Sequence, residues 1–228
     1  MYNYISIFDF SWMYIFNRLA GYTEADLKRK KKPPVTMARE KYPRPSVSEL
    51  VDTLSLVKTI GFLIARHPYH RLVSGYRDKI LGAIKGSFHD NMCRDIVIRY
   101  RKIERNLYQH GKTVPTFSEF VRYIIDESNA GNELDMHWTP VYNFCTPCQV
   151  KLTHIIKFDT FDRDTRMILE KANVSQYLPS TTKLKENESK GKQNSSSQVN
   201  MYLNELSPEQ LKDLHNLYKI DFDILGYN

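Results

Sequence analysis

The run Thr59-Ile-Gly-Phe-Leu-Ile-Ala65 is short, apolar and rich in β-branched residues, and it stops at Arg66-His67-Pro68. An apolar run of that length without polar alternation reads as a strand buried in a parallel sheet. Proline has no N–H to donate to a ladder, so the strand ends there. Leu72, Val73, Tyr76 and Ile80 then share one side of a helix. His154-Ile-Ile-Lys-Phe158 reads as a second core strand, and Arg163 to Ala172 as the helix behind it. This strand–helix–strand–helix order predicts an α/β fold with helices on the faces of a mainly parallel central sheet.

Three further helix starts stand out. Ser46-Val-Ser-Glu49 and Thr116-Phe-Ser-Glu119 are capping boxes, and Ser207-Pro208-Glu209-Gln210 adds proline at the first helical position. The first predicts a helix over about 47–57. The second opens an amphipathic stripe of Phe117, Phe120, Val121, Ile124 and Ile125, and the third carries Leu211, Leu214, Leu217 and Tyr218. Residues 81–112 are polar and basic without a clear period, and 129–150 read as irregular. The stretch 180–200 is Ser/Lys/Asn/Gln-rich and reads as a flexible low-complexity insertion within one domain spanning 1–228.

With 228 residues, 41% hydrophobic and 26% charged, the chain is long enough for a real core and ordinary in balance. The net charge of +7 favours polyanionic partners: nucleic acid, phosphorylated cofactors, anionic membranes or acidic glycans. The cations Lys28-Arg29-Lys30-Lys31-Lys32 form either a solvated loop, an import signal or a polyanion contact. No recognised nucleic-acid-binding motif accompanies them. Cys93, Cys145 and Cys148 are too few for a disulfide framework. Cys145-Thr-Pro-Cys148 has half of a zinc knuckle's spacing without a second ligand pair, so no metal is expected, and a local disulfide or two buried thiols is the expectation. No span reaches the roughly 20 apolar residues that cross a bilayer. Ile5 to Leu19 is interrupted by Asp9, Asn17 and Arg18 and lacks signal-peptide flanks, so this sequence reads as soluble and untargeted. The sequons at Asn173, Asn187 and Asn194 permit a luminal address.

The chemistry concentrates in Phe62 to Lys79. A buried strand delivers Arg66 to its C-terminal end, and ligands of open parallel sheets bind beyond such ends. The helix that follows offers free N–H groups and a positive dipole end. Arg66 supplies a planar, permanently charged fork, and Ser74 adds a hydroxyl eight residues on. These residues describe an anion site. The same residues are equally compatible with surface ion pairs of Arg66, Arg71 and Arg77 beside a merely small Ser74.

The segment resembles the 3′-phosphate-binding motif of sulfotransferases, in the form found in Golgi carbohydrate sulfotransferases that act on chondroitin, dermatan and related glycans. Similar stretches follow in order: Phe117-Ser-Glu-Phe-Val121, His137-Trp138, Cys145-Thr-Pro-Cys148, Ile156-Lys-Phe-Asp159, Leu217 to Phe222, and Gly226-Tyr227. The resemblance runs from about residue 38 to the end, broken by the 180–200 stretch. It implies a three-layer P-loop-like fold and a donor, 3′-phosphoadenosine 5′-phosphosulfate (PAPS), whose 3′-phosphate is bound by Arg66 and Ser74. It further implies in-line sulfuryl transfer to a glycan hydroxyl without a metal, an acidic glycan as acceptor, and a Golgi address through a membrane anchor that lies outside this chain.

The family's phosphosulfate loop, Lys-x-Gly-x-x-Ser-Trp, is matched only at its end. Ser11 and Trp12 fit it and are candidate donor-binding residues, but Ser6 stands in place of Lys and Phe8 in place of Gly, with Asp9 and Phe10 in the cradle. A bulky side chain obstructs close backbone approach to phosphate. The loop therefore reads as altered or truncated, which predicts slow transfer, or as its extreme a pseudoenzyme that binds nucleotide or glycan only. His137, beside Trp138, is the candidate general base, and His67, His70 and Glu133 are weaker candidates for the same role. A structural histidine packed near the cysteines is the competing reading.

Overall fold

A computed structural model of the chain describes residues 10–29, 32–56, 59–145, 147–177 and 195–227. In chain order its elements are α1 (Phe10–Leu19), α2 (Glu24–Arg29), α3 (Pro34–Lys41), α4 (Val47–Leu54), β1 (Phe62–Ala65), α5 (Pro68–Gly75), α6 (Phe88–Arg101), α7 (Phe117–Asn129), α8 (Val141–Cys145), β2 (His154–Lys157), α9 (Phe161–Lys171), α10 (Ser195–Leu203) and α11 (Pro208–Leu225). Two compact units form, one drawn from Met1–Arg66 and Cys145–Gly191, the other from His67–Phe144 and Lys192–Asn228.

The first unit holds the sheet. β1 and β2 pair in parallel, with Phe62 opposite His154 and Ala65 opposite Lys157. Both strands sit where the apolar runs place them, β1 shortened at its start and β2 by one residue at its end. Among the described residues the sheet has two strands, fewer than a three-layer α/β fold requires. Its core side is aromatic: the fully buried Trp12 of α1 packs on Phe62 with ring centroids 4.4 Å apart, and Phe16 lies 5.5 Å from Trp12. Ile156 of β2 and Phe161, Ile168 and Leu169 of α9 complete the same cluster. Burying a large apolar side chain contributes about 1.5–3 kcal/mol, so this cluster fixes how α1 and α9 seat against the strands. Gly61 leads into β1 where a Cβ would collide with Leu54 Cδ2, so the end of α4 closes directly on the backbone there.

The second unit is helical. The stripe of α7 (Phe117, Phe120, Val121, Ile124 and Ile125) is buried to the last residue, against Leu72, Val73, Tyr76 and Ile80 of the α5 segment and Leu214 and Tyr218 of α11. After Gly75 the chain continues as a π-helical stretch, Tyr76–Leu81. Tyr76 donates its hydroxyl to Pro115 O at 2.8 Å, joining this stretch to the start of α7. The capping boxes at Ser46, Thr116 and Ser207 all form, each contributing about 1 kcal/mol to its helix.

Three expectations need revision. Residues 81–112 contain a fourteen-residue helix, α6, whose buried side is short (Cys93, Ile96, Val97) and includes the acid Asp90. The polar cluster around Asp90, not a stripe, supplies the rest of its anchoring: Tyr108 and His110 reach Asp90 Oδ1 at 2.7 and 2.8 Å. Residues 180–194 of the low-complexity stretch lie outside the described residues, but Ser195–Asn200 already belong to α10, which buries Val199. Cys145 is half-buried and Cys148 exposed, and the two form no disulfide, so they are neither the local disulfide nor the buried pair expected. Among the described residues, no helix is long and apolar enough to cross a membrane.

Candidate active site

Helix α5 carries the anion motif's second half. His67 caps it: its Nδ1 accepts the Tyr69 N–H at 3.2 Å, and Pro68 occupies the first turn. That use as a cap, together with packing of the ring on Phe222 and Tyr227, gives His67 a structural task. Ser74 is half-buried near the end of the helix. Arg71, one turn earlier, does not face outward for an anion. Its guanidinium donates to Thr139 O and to Met136 O, both at 2.7 Å.

Those two carbonyls flank His137, so α5 grips the turn that bears the candidate base. The grip is tight because Gly75 lacks a side chain: a Cβ there would lie 3.3 Å from His137 O and 3.6 Å from both His137 Cβ and Trp138 Cε3. From the other side Trp138 is wholly buried, its ring edge-on to Phe120 at 5.0 Å, and Trp138 O accepts the Tyr218 hydroxyl at 2.5 Å. The buried Asp221 of α11 accepts the N–H of Val141 at 2.6 Å and of Tyr142 at 2.9 Å, filling the orphan donors that open α8. Burial raises its carboxyl pKa even though both N–H bonds act to lower it. Residues 135–142, irregular in sequence, are thus held rigidly by α5, α7 and α11.

On this turn His137 meets a partner that sequence reasoning missed. Asp135 Oδ1 lies 2.5 Å from His137 Nδ1 and also accepts the His137 backbone N–H at 2.8 Å. Its Oδ2 lies 3.2 Å from His89 Nε2 of α6. Burial opposes the charge on Asp135, but the hydrogen bonds from His137 and His89 outweigh it and pull its pKa to about 2. The Asp-x-His spacing is the sequence signal that could have pointed to Asp135; nothing comparable marks His89, 46 residues before it in the chain. His89, Asp135 and His137 bring three potential ligand atoms within 4.8 Å of one another and could also hold a cation. The His137 ring packs on Trp138 and His89, and Gly75 of α5 lies against its main chain. The His70 ring lies 5.0 Å from the His67 ring, and Glu133 is exposed, so neither joins this cluster.

In the first unit, Arg66 follows β1 directly and is half-buried, with its guanidinium carbon 4.8 Å above the Phe158 ring. Such a contact holds the planar fork at the C-terminal end of the strand pair. Trp12 is a core side chain, so any part it plays toward a ligand is through the seating of α1. Ser6, Phe8 and Asp9 lie outside the described residues, and Ser11 is described only as part of α1. Of the basic run, Lys28 pairs with Glu24 at 2.7 Å, Arg29 with Asp26 at 2.9 Å and Lys32 with Glu40 at 2.7 Å, exposed pairs of small energetic value.

A profile of the Sulfotransferase family matches residues 9–228. The mouse protein Carbohydrate sulfotransferase 11 is 32% identical over 169 residues, 73% of this chain and 46% of the relative. Carbohydrate sulfotransferase 14 of zebrafish is 31% identical over 167 residues, 73% and 43%. Carbohydrate sulfotransferase 12 of Xenopus laevis is 28% identical over 184 residues, 76% and 41%. The chain therefore spans a little under half the length of these relatives. No solved structure matches.

Proposed function

Because the chain belongs to the Sulfotransferase family, we propose that it transfers a sulfuryl group from PAPS to a hydroxyl of a glycan, an acidic glycosaminoglycan-like chain in the Golgi lumen. Arg66 and Ser74 match the family's 3′-phosphate motif and would hold that end of the donor, with Ser11 and the α1 start that Trp12 anchors at the phosphosulfate end. The structure is compatible with this assignment in one specific respect: Arg66 stands at a strand's C-terminal end as a planar cation held over Phe158. A larger three-layer P-loop-like architecture is part of the same proposal.

His137 acts as the general base. The acceptor oxygen forms a bond to sulfur while the bond from sulfur to the bridging phosphate oxygen breaks, and the electron pair leaves with that oxygen. The hydroxyl proton passes to His137 Nε2. Cationic groups of the site stabilise charge on the leaving phosphate. The chain's +7 charge suits acceptors that are already anionic.

The single observation that carries this reading is the clamp between the motif helix and the base-bearing turn, Arg71 to Met136 O and Thr139 O with Gly75 against His137. A helix of the donor motif that also fixes a histidine is the arrangement group transfer needs, because positioning supplies much of the barrier reduction. The relatives' names favour transfer over binding alone. The reading is tested by melting the protein with the desulfated nucleotide, 3′-phosphoadenosine 5′-phosphate. A ligand of the native state must raise the melting temperature. The shift should grow with nucleotide concentration and vanish in Arg66→Ala; no shift at millimolar nucleotide would refute the donor assignment.

A further inference from the structure

Asp135 stands between two imidazoles, and its ionisation settles how both must be protonated. A carboxylate accepts hydrogen bonds and donates none. The ring nitrogens that face it, His137 Nδ1 at 2.5 Å and His89 Nε2 at 3.2 Å, must then be the protonated ones. A neutral His137 with its proton on Nδ1 carries its lone pair on Nε2. Among the described residues nothing hydrogen-bonds to that Nε2, and the side chain is about one-third exposed (34%). Left to itself a histidine ring rotates about two torsions and exchanges tautomers. Here the backbone N–H of the same residue also binds Asp135 Oδ1 at 2.8 Å, so ring and main chain close on one oxygen while His89 occupies the other.

We propose that Asp135 is the positioning residue of this site: it fixes His137 in the Nδ1–H tautomer with Nε2 turned outward, and His89 holds the carboxylate in place from α6. The proposal deepens the reading of His137 as the base and rests on it. The acceptor proton moves to Nε2, giving an imidazolium whose new positive charge Asp135 faces without itself taking the proton. Tyr123 of α7 lies close enough to interact with Asp135, Arg71 of α5 binds the neighbouring Met136 O, and Tyr218 of α11 donates to the neighbouring Trp138 O. Arg71 is tied to the backbone, and the tyrosines are pushed above their ordinary range by burial, so none competes for the proton at neutral pH. A cation at His89–Asp135–His137 is the rival arrangement, since the three ligand atoms converge within 4.8 Å. It is disfavoured because both carboxylate oxygens already have N–H donors.

The test uses the full chain with nitrogen-15 in its histidines. Long-range nitrogen–proton spectra at neutral pH should show His137 protonated on Nδ1 and bare on Nε2. Asp135→Asn should shift the ring toward the Nε2–H tautomer and lower kcat about 100- to 10,000-fold, with KM for PAPS within about twofold, since the variant spares donor contacts. His89→Leu, which removes the N–H donor to Oδ2, should lower kcat by less than Asp135→Asn does, and His89→Gln, which restores a donor there, should recover part of the loss. An Nε2–H tautomer in the unsubstituted chain would overturn the proposal without any variant having to fold. So would a stoichiometric zinc titration that removes the Nδ1 proton, or an unaltered kcat in folded Asp135→Asn. Because the spectrum needs no turnover, an unsubstituted chain that shows the Nδ1–H ring but moves no sulfate would support the positioning and count against the transferase reading.

Discussion

Gly75 and His137 meet backbone to backbone: a Cβ on the glycine would sit 3.3 Å from the histidine's carbonyl oxygen. This places the turn that bears the proposed base directly on helix α5. Alanine at 75 asks the turn to give by a few tenths of an ångström, and valine asks for more. Gly75→Val should therefore displace His137 and lower kcat at least about tenfold, with overpacking that costs about 1–3 kcal/mol of stability. Steady-state kinetics and denaturant melts check both. Wild-type kcat in Gly75→Val would show that the contact does not position the base.

Arg66 is the second point of attack. Arg66→Ala removes a planar cation from its place over Phe158 and should weaken binding of 3′-phosphoadenosine 5′-phosphate by about 2–5 kcal/mol. Arg66→Lys keeps a charge but loses the fork and should recover only part of the affinity. Calorimetric titration measures both; equal affinity in all three proteins would remove Arg66 from the donor site.

Asp221 tests the scaffold rather than the chemistry. Its carboxylate satisfies two N–H groups, Val141 and Tyr142. Asp221→Ala leaves both unpaired in a buried setting and should cost about 2–6 kcal/mol, at about 1–3 per orphaned group. Asp221→Asn has one carbonyl oxygen for two donors and should fall between. Chemical denaturation of the three proteins gives the ranking.

Acid should loosen the second unit through Asp135 and Asp90. Both carboxyls stand near pH 2 in the folded chain against an ordinary 3.8: burial opposes ionisation, but hydrogen bonds prevail, from His137 and His89 at Asp135 and from Tyr108, the Gly86 N–H and His110 at Asp90. A depressed folded pKa stabilises fully above the unfolded value and fades as pH falls through the folded one. The stabilisation should thus be intact above about pH 5 and drain away between about 4 and 2. Asp221, raised by burial, works in the opposite sense and gains from protonation. Melting curves against pH for the chain and for Asp135→Asn should converge toward about pH 2; parallel curves would contradict the assignment.

Much of the scaffold was legible where it is local. Capping at Ser46, Thr116 and Ser207 depends on residues three apart, and all three helices start where those residues predict. The two strands show as apolar runs, and their parallel pairing follows from the helices behind them. Helix α6 was hidden because a polar cluster on Asp90 anchors it, and periodicity sees only apolar faces. The site divides in the same way. His137 could be named from its neighbour Trp138, but the bond that orients it through Asp135 to His89, and the clamp of Arg71 on carbonyls 65 and 68 residues away, are products of tertiary packing. Arg71 itself read as one more surface cation until the fold showed what it holds.

The central claim is sulfate transfer with His137 as base, and the most direct measurement is passage of labelled sulfate from PAPS to desulfated chondroitin. The altered loop at Ser6, Phe8 and Asp9 lies outside the described residues, so the assay should pair the chain with a variant carrying Ser6→Lys, Phe8→Gly and Asp9→Asn. Transfer should be measurable in the chain and faster in the variant, and His137→Ala should lower it about 100- to 10,000-fold in both, the range expected for loss of a general base. No transfer by either protein, or full transfer after His137→Ala, would contradict the account.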